Sequence, residues 1–259
     1  MYKIFKYSLL DLMRSRWLMI YFLFFLAASF VLFLFSTDST KALLSLLNVE
    51  ISIIPLVSIL FGIMYYYNSR EFTELLLAQP LKRNRIFLGM YLSLASSLSA
   101  CFLLGTSIPF IYYNSGLGDI ISFAFYLLTG VLLTFVFSAF AFLLGLLNEN
   151  RVKGFGLSIL VWLYLVVIYD GIFLLILMNF QDYPLEKPTL VMTLLNPVDL
   201  SRVLVLLNIG ISALMGYSGA VFNSFLGSAI GLMIAFFFLL MWVIIPIWFF
   251  LRIAARRNF

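Results

Sequence analysis

Three groups of residues in this chain combine types and spacings that bear on chemistry. The first is a lone acid, Asp170, inside the apolar run VVIYDGIFLLIL. The second is the run NSREFTELLLAQPLKRNRI from Asn68 to Ile86, where Arg70, Glu71, Glu74 and a leucine triplet precede Pro80 and a basic cluster. The third is LLNPVDLSRVLVL, which places Asp199 three residues before Arg202 just after an Asn-Pro pair. An acid buried in apolar surroundings either relays protons through a partner and a path or serves as a hydrogen-bonding anchor. With no second buried acid or base evident in the sequence, the anchoring role is the weightier reading of Asp170.

The remaining inventory excludes several chemistries. There is no His, so no imidazole-based triad, zinc site or proton shuttle can be assembled within the chain. The single Cys101 rules out an internal disulfide or a CxxC pair. Ten Met are scattered singly through apolar segments, where thioethers usually fill gaps between helices, so a metal path is the lesser reading. No GxxxxGK[ST] occurs, and any ATP that drives this protein is hydrolysed by another subunit. No catalytic residue, metal ligand or cofactor site is therefore expected here.

These residues must be positioned by membrane helices. The 259 residues are 64% hydrophobic and 10% charged, with 29 Phe and 14 Tyr, far outside the composition of an average soluble domain. Crossing a bilayer core takes about 20 apolar residues in a helix. Six segments qualify, near Trp17 to Phe35, Ile51 to Tyr67, Phe87 to Tyr113, Ile120 to Leu147, Gly154 to Met178 and Gly227 to Leu251. The fold class is thus an all-α integral membrane protein, read as one transmembrane domain over residues 1–259. Pro109 is a candidate break in the long third span. Asp170 falls roughly 24 Å along the fifth at ~1.5 Å per residue, toward the outer leaflet. It is the only ionisable residue read as deep in a span. At a helix centre an Asp costs on the order of 2.5–3.5 kcal/mol to insert, so it should face protein or water.

Basic residues set the orientation. Lys3, Lys6, Arg14, Arg16, Arg70, Lys82, Arg83, Arg85, Arg151, Lys153, Arg252, Arg256 and Arg257 fall on one side of this topology, and only Lys41, Lys187 and Arg202 on the other. Both termini are expected in the cytoplasm, and the net charge of +5 needs no nucleic-acid partner.

The connections are organised. Residues 1–16 place Phe5, Leu9, Leu12 and Met13 at helical spacing, which predicts an interfacial helix with Trp17 anchored at the headgroups of membrane lipids. The alternative is a frayed start of the first span. In the 68–86 loop, Ser69 is positioned to cap a short helix that runs through Leu75, Leu76 and Leu77 and stops at Gln79-Pro80. Three leucines in cytoplasm need cover; a protein partner or the membrane surface would supply it. The 179–226 segment, the largest external one, carries a second apolar run after Asn196-Pro197. That run reads either as a docking helix for an extracytoplasmic partner or as a lid on the outer headgroups. Small residues at Leu92 to Ala100, and a GxxxG at Gly227 to Gly231, suit helix packing within the subunit or between copies.

In this order the parts resemble the permease subunits of ABC-2-type transporters. The resemblance is carried by RSRW before the first span and REFTELLLAQPLKRNRIFLGM after the second. Phe72 stands where that family usually has Gly, and Met90 where it often has Lys. The resemblance implies that Arg70 to Gln79 is a coupling helix, with Arg70, Glu71, Thr73, Glu74, Leu75, Leu76, Leu77, Pro80 and Arg83 engaging an ATPase that binds ATP and Mg. VVIYDGIFLLIL and LLNPVDLSRVLVL are similar to the permease subgroup of the NosDFY system, which helps mature the copper centres of nitrous oxide reductase. That subgroup implies a homodimer in the bacterial inner membrane, a NosF-like ATPase, and a NosD-like β-helix protein docked near Asp199 and Arg202. A general exporter of lipid, drug or polysaccharide would share the coupling loop. A secondary transporter should show paired intramembrane charges, and an intramembrane hydrolase an acid-base constellation or a metal.

Overall fold

The computed structural model describes residues 2–36, 39–79, 82–113, 119–180, 186–209 and 229–256, and no strand occurs among them. The chain is helical because hydrocarbon offers backbone groups no water, so each must be paired within its own segment. The elements are α1 (Tyr2–Met13), α2 (Arg16–Phe35), α3 (Ser39–Asn68), α4 (Arg70–Leu77), α5 (Arg83–Tyr113) and α6 (Asp119–Leu147). They continue with α7 (Arg151–Leu163), a π-helical turn (Tyr164–Ile168), α8 (Tyr169–Asn179), α9 (Glu186–Leu194), α10 (Pro197–Asn208) and α11 (Ala229–Arg256).

Six stretches among the described residues are long and apolar enough to span: Arg16–Phe35, Thr40–Asn68, Arg83–Tyr113, Ile120–Leu147, Arg151–Asn179 and Gly231–Arg256. The six sequence-derived spans are therefore present, with two differences of physical interest. Pro109 does not break the third span, which runs unbroken from Arg83 to Tyr113. Abandoning the helix in lipid would orphan several backbone groups, whereas one Pro removes a single donor. The helix of the second span starts at Ser39, about two and a half turns before Asn48, rather than near Ile51. Asn48 and Glu50 interrupt the apolar run but not the helix, because Leu43, Leu46, Leu47, Glu50 and Ile54 all fall on one buried stripe.

Helices α3 and α6 form the central pair, α2 packs along α5, and α11 closes on α6. Gly62 makes the central contact possible, since a Cβ there would sit 2.6 Å from the Ala141 side chain. The small-residue tract at Leu92 to Ala100 is absorbed inside the subunit, with Ser93, Ala95, Ser97 and Ser99 buried. Gly227 of the GxxxG lies outside the described residues, as does Pro80.

The run after Asn196 corrects its expected placement as a helix on the outer surface. Segments Pro188–Leu194 and Pro197–Asn208 form one bent pair with an angle of 109°. Pro197, Val198, Leu200, Ser201, Val203, Leu204 and Val205 of α10 are buried, and α10 packs against α6, α3 and α11. Its apolar residues surround most of the helix rather than one stripe, which is the pattern of an enclosed helix and not of one lying on headgroups.

Candidate functional site

Helix α4 follows α3 after a one-residue turn at Ser69, and its own sequence dictates which side faces inward. The Ser69 hydroxyl does not cap it. The anchor is Thr73, whose backbone N–H donates to Ser69 O at 2.9 Å and whose hydroxyl lies 2.7 Å from the same oxygen and 3.4 Å from Met90 Sδ. Phe72 stacks on Tyr7 of α1, with ring centroids 5.3 Å apart. The two positions that depart from the family pattern thus hold α4 in place: Phe72 against α1, and Met90 beneath Thr73.

With Thr73 buried and Leu76 and Leu77 packed against the core, the leucine triplet is not a uniformly exposed patch. Leu75 alone projects, 70% exposed, beside Arg70, Glu71 and Glu74. Arg70 Nε donates to Glu74 Oε1 at 3.0 Å, an exposed i,i+4 pair that stiffens the outer face. Arg83 opens α5, half-buried. α4 therefore presents a narrow ridge of charge around one leucine, backed by three other helices.

Sequence reading missed what fixes the end of α3. Tyr67 Oη donates to Asn148 O at 2.8 Å and also lies 3.3 Å from Asn150 O, while Arg151 donates back to Tyr67 O at 3.2 Å. Asn150 caps α7 through Val152 N at 2.9 Å. Gly154 and Gly145 are required here, because a Cβ would lie 2.1 Å from Tyr67 Oη and 2.4 Å from the Tyr66 ring, respectively. The available signal was the YYYN ending of the second span, two tyrosines beside small residues of other helices. Phe250 of α11 packs against Tyr91 and Phe142, so the C-terminal end joins the same end of the bundle. The basic segments that carry most of the 16 Lys and Arg are thereby gathered on one side.

α1 corrects in detail. Its inward stripe is Ile4, Ser8 and Leu12; of the four expected residues, Phe5 and Leu9 are half-buried and Met13 is exposed. The inward stripe rests chiefly on α5.

The opposite end holds the other two groups of charged residues, and the fold joins them. Arg202 NH1 donates to Asp170 Oδ2 at 3.0 Å and lies 3.5 Å from Asp199 Oδ1. Asn196 binds three ways: its amide donates to Asp199 Oδ2 at 3.0 Å and to Leu165 O at 2.9 Å, and its oxygen accepts Val198 N–H at 3.0 Å. Leu165 O, which accepts from Asn196, lies within the π turn just before Asp170. Asp170 thus has the partner that its sequence neighbours do not supply, 32 residues away.

Asp170, itself half-buried, is also not the only ionisable group inside a span. Glu50, on α3, is 0% exposed. Among the described residues, no group of three or more Cys, Asp or Glu is arranged to hold a metal ion.

The chain is thus a polytopic helical bundle that presents a short, firmly anchored helix at its basic end. No family model matches the chain. It is 30% identical to "Probable ABC transporter permease protein NosY" of Stutzerimonas stutzeri, an alignment covering 87% of this chain and 83% of that protein. The chain belongs to the ABC transporter permeases and is a multi-pass membrane protein; membership of that family implies an ATPase partner.

Proposed function

We propose that this chain is a NosY-like, non-catalytic permease subunit that couples ATP hydrolysis by a NosF-like ATPase to an extracytoplasmic NosD-like partner, in copper-site maturation of nitrous oxide reductase. The observation that carries this reading is α4: anchored through Thr73 and Phe72, yet displaying Arg70, Glu71, Glu74 and Leu75 outward. A helix held this firmly moves with its bundle when a partner moves it. Pro80 and Arg83 would extend the contact. Both termini then lie in the cytoplasm of a bacterial inner-membrane protein, with ATP and Mg bound by the ATPase. The working unit is a homodimer.

Motion at α4 passes along α3 to α6 and α10, which pack on one another. It arrives at the Asp170, Arg202 and Asp199 cluster, where the outer partner would dock near Arg202. An apolar pocket of about 290 Å³ lined by Phe125, Leu128, Leu132, Met233 and Phe236 favours the second reading, a general exporter of lipid-like cargo.

The test is co-purification from native membrane in mild detergent. The reading expects an ATPase together with an extracytoplasmic β-helix protein; an ATPase alone turns it toward the general exporter. Glu71→Lys should release the ATPase, and unchanged association and turnover would sink the coupling role of α4. Partner binding that survives Asp199→Lys and Arg202→Glu would remove docking from the outer cluster.

A further inference from the structure

Glu50 occupies the interior of the bundle with a set of neighbours unlike those of any other acid among the described residues. It lies on the buried stripe of α3, opposite Thr129 of α6, with Glu50 Oε1 and Thr129 Oγ1 3.1 Å apart. Thr129 Oγ1 also lies 3.0 Å from Phe125 O and 2.9 Å from Tyr126 O, both acceptors only. Among the described residues, Glu50 Oε2 and the hydroxyls of Tyr21 and Tyr126 are buried without a hydrogen-bond partner. Glu50, Tyr21 and Tyr126 lie near enough to one another to interact electrostatically. The ion pairs of the described residues lie elsewhere, and none includes Glu50.

We propose that Glu50 is a proton-binding site inside the membrane domain, occupied in this conformation as a carboxylic acid that donates to Thr129 Oγ1. The donor count decides between the two forms. An ionised Glu50 would offer two oxygens and receive at most one proton, from a hydroxyl that two backbone carbonyls also attract. The neutral acid donates to Thr129, and Thr129 donates onward to Phe125 O or Tyr126 O, so each hydroxyl proton is used once. Oε2 remains a carbonyl acceptor without a partner, and neither the Tyr21 nor the Tyr126 hydroxyl reaches it to stabilise a carboxylate. The burial acts in the same direction, because no cation among the described residues pairs with Glu50 to offset the loss of hydration that an ionised carboxylate would suffer there.

Among the described residues, the surroundings contain little else that titrates. α2 contributes Tyr21, α5 contributes Cys101 beside Tyr21, and α6 contributes Tyr126. On α10, Asp199 and Arg202 are engaged with Asn196 and Asp170. The charged residues of α4 and α7 stand at the basic end, and the α7 side chain that reaches α3 near this level is Trp162, which donates to Ser52 O at 3.2 Å. Phe25 and Phe102, packed in line between the rings of Tyr21 and Tyr126, and Ile54, which meets Gly130 one residue after Thr129, are all fully buried around it.

The assignment is tested by infrared difference spectroscopy of the full-length protein in lipid nanodiscs at neutral pH, wild type minus Glu50→Gln. The expected result is a protonated-carboxyl C=O stretch in the wild type that the variant lacks. A difference containing only carboxylate stretches would overturn the proposal. Glu50→Gln keeps a neutral donor of the same size, and its amide can donate to Thr129 in turn. Thr129→Val, which keeps the shape and removes the acceptor, is the second variant and reads the same band without altering Glu50. There the acid band should persist and move to the frequency of a weaker hydrogen bond. An unmoved band would show that Thr129 is not the acceptor and would equally overturn the site as described.

Discussion

At the scale of single residues, side chains invisible to motif reading hold the basic end together. Tyr67 reaches across to Asn148 and Asn150, and it fits only because residue 154 has no side chain. Gly154→Ala should therefore destabilise the protein by about 1–3 kcal/mol, the usual result of adding a methyl to a filled site. Gly156, two positions on, has nothing within 4 Å of a built Cβ. Gly156→Ala should be neutral or stabilising by roughly 0.5–1 kcal/mol through helix propensity. Thermal unfolding of the two variants in one detergent checks the contrast; equal effects would refute the packing argument. At the other end, Arg202 is, among the described residues, the cation that meets both Asp170 and Asp199. All three side chains retain some solvent, so Arg202→Gln should cost about 1–3 kcal/mol, less than a fully buried pair would. Asp170→Asn in the same chain should recover part of that loss, and simple additivity in a double-mutant cycle would show that the pair is not coupled.

Among the elements, α4 separates anchoring from display. Thr73→Val removes the hydroxyl bound to Ser69 O and Met90 Sδ at the same volume. It should loosen α4 and raise its proteolytic cleavage rate several-fold while the spans stay intact. Leu75→Asp, on the exposed face, should leave the melting temperature within a degree or two, since surface changes seldom exceed about 0.5 kcal/mol. Under the proposed function it should nonetheless abolish co-purification of the ATPase. If both variants behaved alike, the division of α4 into an inner and an outer face would fail. The α9 and α10 pair shows a different lesson: Asn196-Pro197 reads in sequence as a stop, and in the structure it is the 109° corner that turns α10 into the bundle. Its cap is supplied by Asn196 itself, but its depth is set by α6, α3 and α11.

For the whole molecule, burial is uneven. The central spans are largely enclosed, whereas only 6% of the apolar window of Arg151–Asn179 is buried by the rest of the chain. Lipid or a second copy covers such a helix. In a Cys101→Ser background, single cysteines at Leu160 and Leu174, both outward, separate the two: the proposed homodimer expects cross-linking between copies at one of them, and a lipid-facing helix gives none at either. A cysteine at the enclosed Ile63 should stay silent in both cases.

What the sequence by itself determined is what depends on local chemistry: six spans, because about 20 apolar residues in lipid have no alternative to a helix; and a short helix at Arg70–Leu77 bearing Glu71 in its first turn. The exclusion of histidine chemistry also needed only the composition. Tertiary structure alone decided which of these residues meet. Asp170 looked solitary because its cation lies 32 residues away, and Glu50 looked like loop because two polar residues interrupted a hydropathy window without interrupting a helix. The leucine triplet looked like one patch because linear adjacency hides a 100° turn per residue, which sends Leu76 and Leu77 toward the core and leaves Leu75 outside. Periodicity places a side chain on a face of its own helix; only packing says what stands opposite.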